Sequence, residues 1–98
     1  MSADNGIYIL KTPKDKEEGL EYRVAHAQAI ENIQYKNEDG DPEAVISYFG
    51  DCEVLTMEEA MKEAFKQEEE CHVLEYGINT IFLPHTFKWF REQATKNN

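Results

Sequence analysis

The segment YRVAHAQAIENI, residues 22–33, decides how the first half of the chain folds. With the residues just before it, it starts as a strict alternation, in which Leu20, Tyr22 and Val24 point one way and the charged residues between them point the other. A period of two residues is typical of a half-buried β-strand. The segment therefore predicts a strand at its start, antiparallel to the strand that precedes it.

The second half of the same segment has a different spacing. Ala29 and Ile33 are four residues apart, and Ile30 and Ile33 are three apart, which favours a short helix over about residues 27–35. No Ser, Thr, Asp or Asn stands at its start to cap it, so continuation of the strand is the alternative.

Outward from this segment, other stretches rich in β-forming residues and bounded by turn residues also predict strands. The four predicted strands are Ile7–Lys11, Leu20–Ala25, Ala44–Phe49 and Tyr76–Leu83, with a short extended piece at Glu53–Leu55.

The strongest helix signal runs from Thr56 to His72. Thr56 and Glu59 have the spacing of a capping box, in which each residue's side chain accepts a hydrogen bond from the other's backbone. Apolar residues then recur at helical spacing and predict the buried stripe of an amphipathic helix. They are Ala60, Met61, Ala64, Phe65 and Cys71.

The predicted order of elements is β-β-(α)-β-α-β-α. Ninety-eight residues hold one core, so we expect a single α+β domain over residues 1–98. Its sheet is expected to be mostly antiparallel, with about four strands and with helices packed on one face. Pro84 ends the last strand and starts a C-terminal helix within residues 84–98, whose final residues should fray.

The charge of the chain limits the partners that it can bind. Twenty Asp and Glu stand against 10 Lys and Arg, a net charge of −10 spread over both halves. We expect no direct nucleic-acid binding and no membrane binding, because both require a basic patch. The acids serve solubility, or they face a basic partner, up to mimicry of DNA. The candidates for a mimicking face are the acids at 58, 59, 63, 68, 69, 70 and 75.

The localisation follows from signals that the sequence lacks. The N-terminal residues do not form the basic and apolar regions of a signal peptide, and the apolar runs are too short to span a membrane. Cys52 and Cys71 do not make the disulfide framework of a small secreted domain. We therefore expect the protein in the cytoplasm.

The sequence contains no catalytic or metal-binding motif that we can identify. Cys71 and His72 are adjacent, so on a helix they point about 100° apart and do not easily share one metal ion. Cys52 lies between Asp51 and Glu53, which should raise the pKa of its thiol. We expect no enzymatic activity, no cofactor and no metal site.

The densest group of hydrogen-bond donors lies where the strand of residues 22–33 bends. We predict that Arg23, His26, Gln28 and Asn32 converge there and bind an anionic or polar ligand, or the backbone of a partner. The alternative is local and structural. In that case Arg23 pairs with Glu21, and the two amides satisfy backbone groups at the bend.

A second cluster lies in the C-terminal helix. Aromatic residues beside an arginine are typical of interface hot spots, so we predict Trp89, Phe90 and Arg91 as interface residues for self-association. The alternative is that the aromatic stripe simply docks the helix on the sheet, with Trp89 the most exposed member.

Several segments are similar to known sequences. They are NGIYILKTP (residues 5–13), YRVAHAQAIENI (22–33), YFG (48–50), the helix start after Val54, and EYGI (75–78). These segments resemble a small uncharacterised protein family encoded by tailed bacteriophages and prophages, over most of the chain up to about Ile81. The resemblance implies no particular activity.

The phage context that the resemblance implies favours one function. A small acidic accessory protein of this kind acts in the host cytoplasm, by non-catalytic binding to a host factor, with inhibition of host defence as one form. One alternative is an oligomeric binder, or sponge, of a small molecule or nucleotide messenger that uses Arg23 and His26. The others are a DNA mimic and an enzyme of unknown chemistry.

Overall fold

A computed structural model describes residues 5–28, 30, 33, 41–71 and 76–96 of the chain. The described elements are, in order, β1 (Asn5–Pro13), β2 (Leu20–Gln28), α1 (Pro42–Phe49), α2 (Met57–Glu70), β3 (Ile78–Phe82) and α3 (Phe87–Lys96). Over these residues the fold is α+β, with a three-stranded mixed sheet and three helices.

Strand β1 is the centre of the sheet, whose order is β2-β1-β3. It pairs antiparallel with β2, with Ile7 opposite His26, and parallel with β3, with Ile7 opposite Ile78. Five consecutive residues, Gly6–Leu10, are buried, as expected of a strand that is covered on both faces. The predicted antiparallel pairing of the first two strands is confirmed, and both strands are longer than predicted.

The predicted third strand, Ala44–Phe49, is wrong, because these residues form helix α1. Asp41 caps the helix by accepting a hydrogen bond from the backbone N–H of Glu43 at 3.1 Å, and Pro42 occupies the first turn, where its missing N–H has no cost. Val45 and Phe49, four residues apart, are then buried on one helical face.

The prediction of about four strands is not matched exactly, because residues 44–49 are helical, and the sheet is mixed rather than mostly antiparallel, because β3 pairs parallel to β1. Three strands are described, and they make one antiparallel and one parallel pairing. The predicted strand Tyr76–Leu83 is confirmed, although the observed strand β3 is shorter and runs from Ile78 to Phe82. Glu53–Leu55 contributes only a bridge between Leu55 and Tyr22 at the outer edge of β2.

The predicted helix over residues 27–35 lies largely outside the described residues. Its first two residues, Ala27 and Gln28, belong to β2. The C-terminal helix is confirmed, although it begins at Phe87 rather than at Pro84. The final residues 97 and 98, which we expected to fray, lie outside the described part.

Helices cover both faces of the sheet, which corrects the prediction that they pack on one face. Helix α2 packs through Ala60 and Ala64 on the face that carries Ile7, Ile9 and Val24. Helices α1 and α3 pack on the opposite face, where Phe49 and Phe90 join Leu10 in the larger core. Since side chains alternate along a strand, neighbouring residues of β2 enter different cores.

The capping box that the sequence predicts is present at the start of α2. Thr56 Oγ1 accepts from the backbone N–H of Glu59 at 3.1 Å, and Glu59 Oε1 accepts from the backbone N–H of Thr56 at 2.9 Å. These bonds lower the pKa of Glu59. Their stabilising effect is present above about pH 4.3, the ordinary pKa of Glu, and is lost as pH falls through the lowered pKa of the folded state.

Replacing Thr56 with alanine is expected to lower the free energy of unfolding by about 1 kcal/mol, because the N–H of Glu59 loses its acceptor. Urea denaturation at neutral pH measures the change. Thr95→Ala is the matched control: its hydroxyl donates to the carbonyl of Arg91 near the exposed end of α3, and its loss should change stability by no more than about 0.5 kcal/mol. Equal losses of unfolding free energy in Thr56→Ala and Thr95→Ala would show that the capping box stabilises the chain no more than an exposed hydrogen bond does.

Candidate functional site

The three predicted ligand-binding residues that the structure describes lie on two different faces of the sheet. Arg23 is buried against α3, on the face of the sheet that α1 and α3 cover. His26 and Gln28 lie three and five positions further along β2, so their side chains point to the opposite face, where α2 packs. Asn32 lies outside the described residues. The predicted convergence of Arg23 with His26 is therefore not found.

Arg23 has the surroundings of a structural residue. Only 4% of its surface is exposed, and its guanidinium carbon lies 3.7 Å from the centre of the Phe87 ring. Its Nη1 lies 3.4 Å from Glu21 Oε1, which is the local pairing considered as the alternative. Burial lowers the pKa of Arg23, while Glu21 opposes the shift. A guanidinium retains its proton in such a setting, so the sheet holds a buried positive charge against an aromatic ring.

His26 is exposed and has a partner that sequence reasoning missed. Its Nδ1 lies 3.6 Å from Sγ of Cys71, the residue that caps the C-terminal end of α2. The sequence predicts Cys71 only as a member of the apolar stripe of the helix. The two residues are 45 positions apart, and only the packing of α2 across the sheet places them together. No local pattern could have indicated this pair.

The predicted interface cluster is divided between core and surface. Phe90 is fully buried in the larger core, so it is not a surface residue. Trp89 is half-buried and stacks on His85, with 3.9 Å between ring centroids and 16° between planes. Arg91 is exposed, 5.0 Å from the centre of the Phe87 ring. Only Trp89 and Arg91 can contact a partner directly.

Cys52 is held in place by its surroundings. Its Sγ donates to the carbonyl of Tyr48 at 3.7 Å. Its pKa is raised, as predicted, but burial is the main cause, and Asp51 contributes less. Arg23 acts in the opposite direction. A raised thiol pKa disfavours the nucleophilic thiolate at neutral pH.

Exposed apolar side chains along α2 are the most unusual surface feature. Met57, Met61 and Phe65 are 62%, 39% and 52% exposed and follow one another every four residues. We call these three residues the α2 ridge. Met61 and Phe65 were predicted to be buried, which is wrong, because the helix contacts the sheet through Ala60 and Ala64. Alanine lets the helix backbone approach closely, and the larger neighbouring side chains remain beside the contact.

The two flanks of α2 differ in character. One flank faces the edge strand β2 and lines a groove of about 430 Å³ with charged and polar side chains, including Glu63 and Lys66. The α2 ridge lies on the other flank, toward the part of the sheet that α2 leaves open. Phe82 of β3 is 55% exposed and points to that same face, because it lies an even number of residues after Ile78, which packs in the α2-side core.

A second groove, of about 560 Å³, lies between the loop that joins β1 to β2 and the start of α2. Its charged lining residues are Lys14, Lys16, Asp15, Glu17, Glu21 and Glu59. Two lysines against four carboxylates leave this groove negative, and Lys14 already pairs with Glu17 at 3.8 Å. Such a lining does not favour a phosphate-bearing ligand.

Within the described ranges, no three His, Cys, Asp or Glu side chains are grouped so that they could hold a metal ion. Among the same residues, no helix is long and apolar enough to cross a membrane. Comparison of the chain with protein-family models, with curated proteins and with solved structures found no match.

Proposed function

We propose that this chain is a small phage-encoded accessory protein that acts without catalysis, by binding a host protein through the α2 ridge. The observation that carries the proposal is the exposure of Met57, Met61 and Phe65 along one side of a helix. Large apolar side chains aligned in this way are a typical protein-docking surface. The phage origin rests on the resemblance of the sequence to proteins encoded by phages and prophages. That origin favours a host protein whose binding inhibits host defence.

The partner that fits this surface is an amphipathic helix with a basic rim. The α2 ridge runs from Met57 to Phe65, nine residues or about 12 Å of helix, which is about the length that two turns of a partner helix cover. Methionine adapts its shape to an apolar partner better than branched side chains do. The partner's apolar face would therefore lie on the ridge.

Charge complementarity supports the basic rim. At 100° per residue, Glu58, Glu68 and Glu69 lie beside the α2 ridge, whereas Lys62 and Lys66 lie further round, toward the groove along β2. The chain as a whole carries a net charge of −10. Lysine or arginine at the edges of the partner helix would be attracted to these acids, and the attraction would speed association.

The alternatives have less support from the same geometry. Arg23 and His26 point to opposite faces of the sheet, so a small-molecule sponge cannot use both in one pocket. For a DNA mimic, the acids of α2 should share one face. Instead, Glu58 and Glu69 lie on one side of the helix, and Glu59, Glu63 and Glu70 lie on another. Glu59 is also engaged in the capping box.

The test uses a fluorescent synthetic peptide with leucine at helical spacing and lysine elsewhere, titrated with the purified chain. We expect binding that weakens as salt is raised, because rim charges are screened. The double variant Met61→Ser/Phe65→Ser should weaken binding by about tenfold or more, because truncated hot-spot residues cost at least that much. Lys62→Ser/Lys66→Ser is the matched control, one position along at each site and also exposed. It should bind as well as the native chain or better.

Three results would overturn the proposal. Equally tight binding of a scrambled peptide of the same composition would reduce the interaction to net charge. Equal losses from the serine double variant and its lysine control would exclude the α2 ridge. In sedimentation experiments, a dimer of the chain that dissociates in Met61→Ser/Phe65→Ser would show that a second copy, rather than a basic helix, occupies the ridge.

A further inference from the structure

We propose that Cys71 and His26 form a thiol-modification site that reacts with neutral or cationic disulfides. The proposal does not depend on the α2 ridge. It rests on a contact between two elements, in which Cys71 Sγ lies 3.6 Å from Nδ1 and 4.0 Å from Nε2 of the His26 ring. Cys71 is half-buried and His26 is exposed, so a reagent in solution can reach the sulfur from the imidazole side.

The pair has the parts of an activated nucleophile, a thiol with a base within hydrogen-bonding distance. In the reaction, the S–H bond of Cys71 breaks and its proton passes to the His26 ring. The sulfur attacks one sulfur of the disulfide, a new S–S bond forms to Cys71, and the old S–S bond breaks with its electron pair on the leaving sulfur. That thiolate then takes the proton, so one disulfide and one thiol yield a mixed disulfide and a new thiol.

The charge around Cys71 selects the reagent. Glu68, Glu69 and Glu70 immediately precede it, and it stands at the negative C-terminal end of α2. An anionic disulfide is repelled by this surface, whereas a neutral one is not and a cationic one is attracted.

Cys52 provides a control within the same chain. Its sulfur donates to the carbonyl of Tyr48, and burial raises the pKa of its thiol. Among the described residues, no histidine lies within hydrogen-bonding distance of its sulfur. The two cysteines thus differ in the feature that the proposal requires, and each can be followed separately by mass spectrometry.

The experiment treats the folded chain with 4,4′-dithiodipyridine, which is neutral, with cystamine, which is cationic, and with 5,5′-dithiobis(2-nitrobenzoate), which is anionic. Peptide mapping gives the rate at each cysteine, divided by its rate in the denatured chain. We expect Cys71 to react at least about tenfold faster than Cys52 with the first two reagents, and His26→Gln to slow Cys71 about tenfold, less than the hundredfold of an enclosed catalytic base.

Gln28→Ala is the control for His26→Gln, because Gln28 is also exposed and lies on the same face of β2. It should leave the rate at Cys71 unchanged. An unchanged rate in His26→Gln would overturn the proposal, as would equal normalised rates at Cys71 and Cys52. A preference of Cys71 for the anionic reagent would overturn the predicted selectivity.

Discussion

Replacing Phe90 with alanine is expected to lower the free energy of unfolding by about 3–5 kcal/mol, the largest effect of any single change considered for this chain. Phe90 is fully buried in the larger core, where its ring packs edge-on against Trp89 at 5.0 Å between centroids. Removal of the ring leaves a cavity between α3 and the sheet that the surrounding side chains fill only in part. A domain of this size has a total stability of about 5–15 kcal/mol, so the variant should unfold partly near body temperature.

Urea and thermal denaturation followed by circular dichroism measure this loss, with a fall in Tm of about 4–8 °C for each kcal/mol. Lys88→Ala, at an exposed position of the same helix, is the control and should stay within about 0.5 kcal/mol of the native chain. If Phe90→Ala were as stable as Lys88→Ala but failed to self-associate, Phe90 would be the interface residue that the sequence predicted.

The elements that could be predicted from the sequence are those whose signals are local. The hairpin of β1 and β2 follows from alternation on either side of a polar loop, in which Gly19 adopts a φ of 113° that favours glycine. The start of α2 follows from Thr56 and Glu59 alone. Each of these patterns lies within a few neighbouring residues, so no knowledge of the tertiary structure was needed.

Helix α1 shows how composition can mislead. The residues AVISYF combine β-branched and aromatic side chains, which favour a strand when they are considered alone. The features that determine the helix lie before them, in the cap Asp41 and in Pro42 at the first turn. The four-residue spacing of Val45 and Phe49, which both enter the core, matches a helix.

The exposure of the predicted site residues depends on which faces of the sheet are covered by helices. No local sequence pattern encodes this coverage. Alternation correctly places Arg23 opposite Tyr22 and Val24 on β2, and a sheet with helices on one face would leave that second face open. Because α3 packs on that face, Arg23 is buried there rather than exposed to a ligand. Likewise, the exposure of Met61 and Phe65 follows from the contact that α2 makes through its alanines, which helical periodicity alone cannot distinguish from burial of the larger side chains.

Substitution of Arg23 is expected to separate the packing of its side chain from its charge. Arg23→Ala should lower the free energy of unfolding by about 2–4 kcal/mol, because it removes both the buried stem and the contact with the Phe87 ring. Arg23→Met retains most of the stem, and its sulfur can also contact the ring, so it should stay within about 1.5 kcal/mol of the native chain. In both variants the Glu21 carboxylate loses its partner but stays hydrated, because its side chain is 26% exposed.

A double-mutant cycle of Arg23→Leu with Phe87→Leu isolates the contact between the guanidinium and the ring, because leucine at position 23 brings no sulfur to the ring. We expect a coupling of about 2 kcal/mol between Arg23→Leu and Phe87→Leu, the magnitude for a desolvated cation–π pair. The exposed Arg91 shares the same ring at 5.0 Å and supplies the control. Because water surrounds it, its coupling to Phe87 should be no more than about 0.5–1 kcal/mol. If Arg23→Ala and Arg23→Met were both as stable as the native chain, the buried arginine would contribute nothing to the fold, and its conformation in the free chain would differ from the one described.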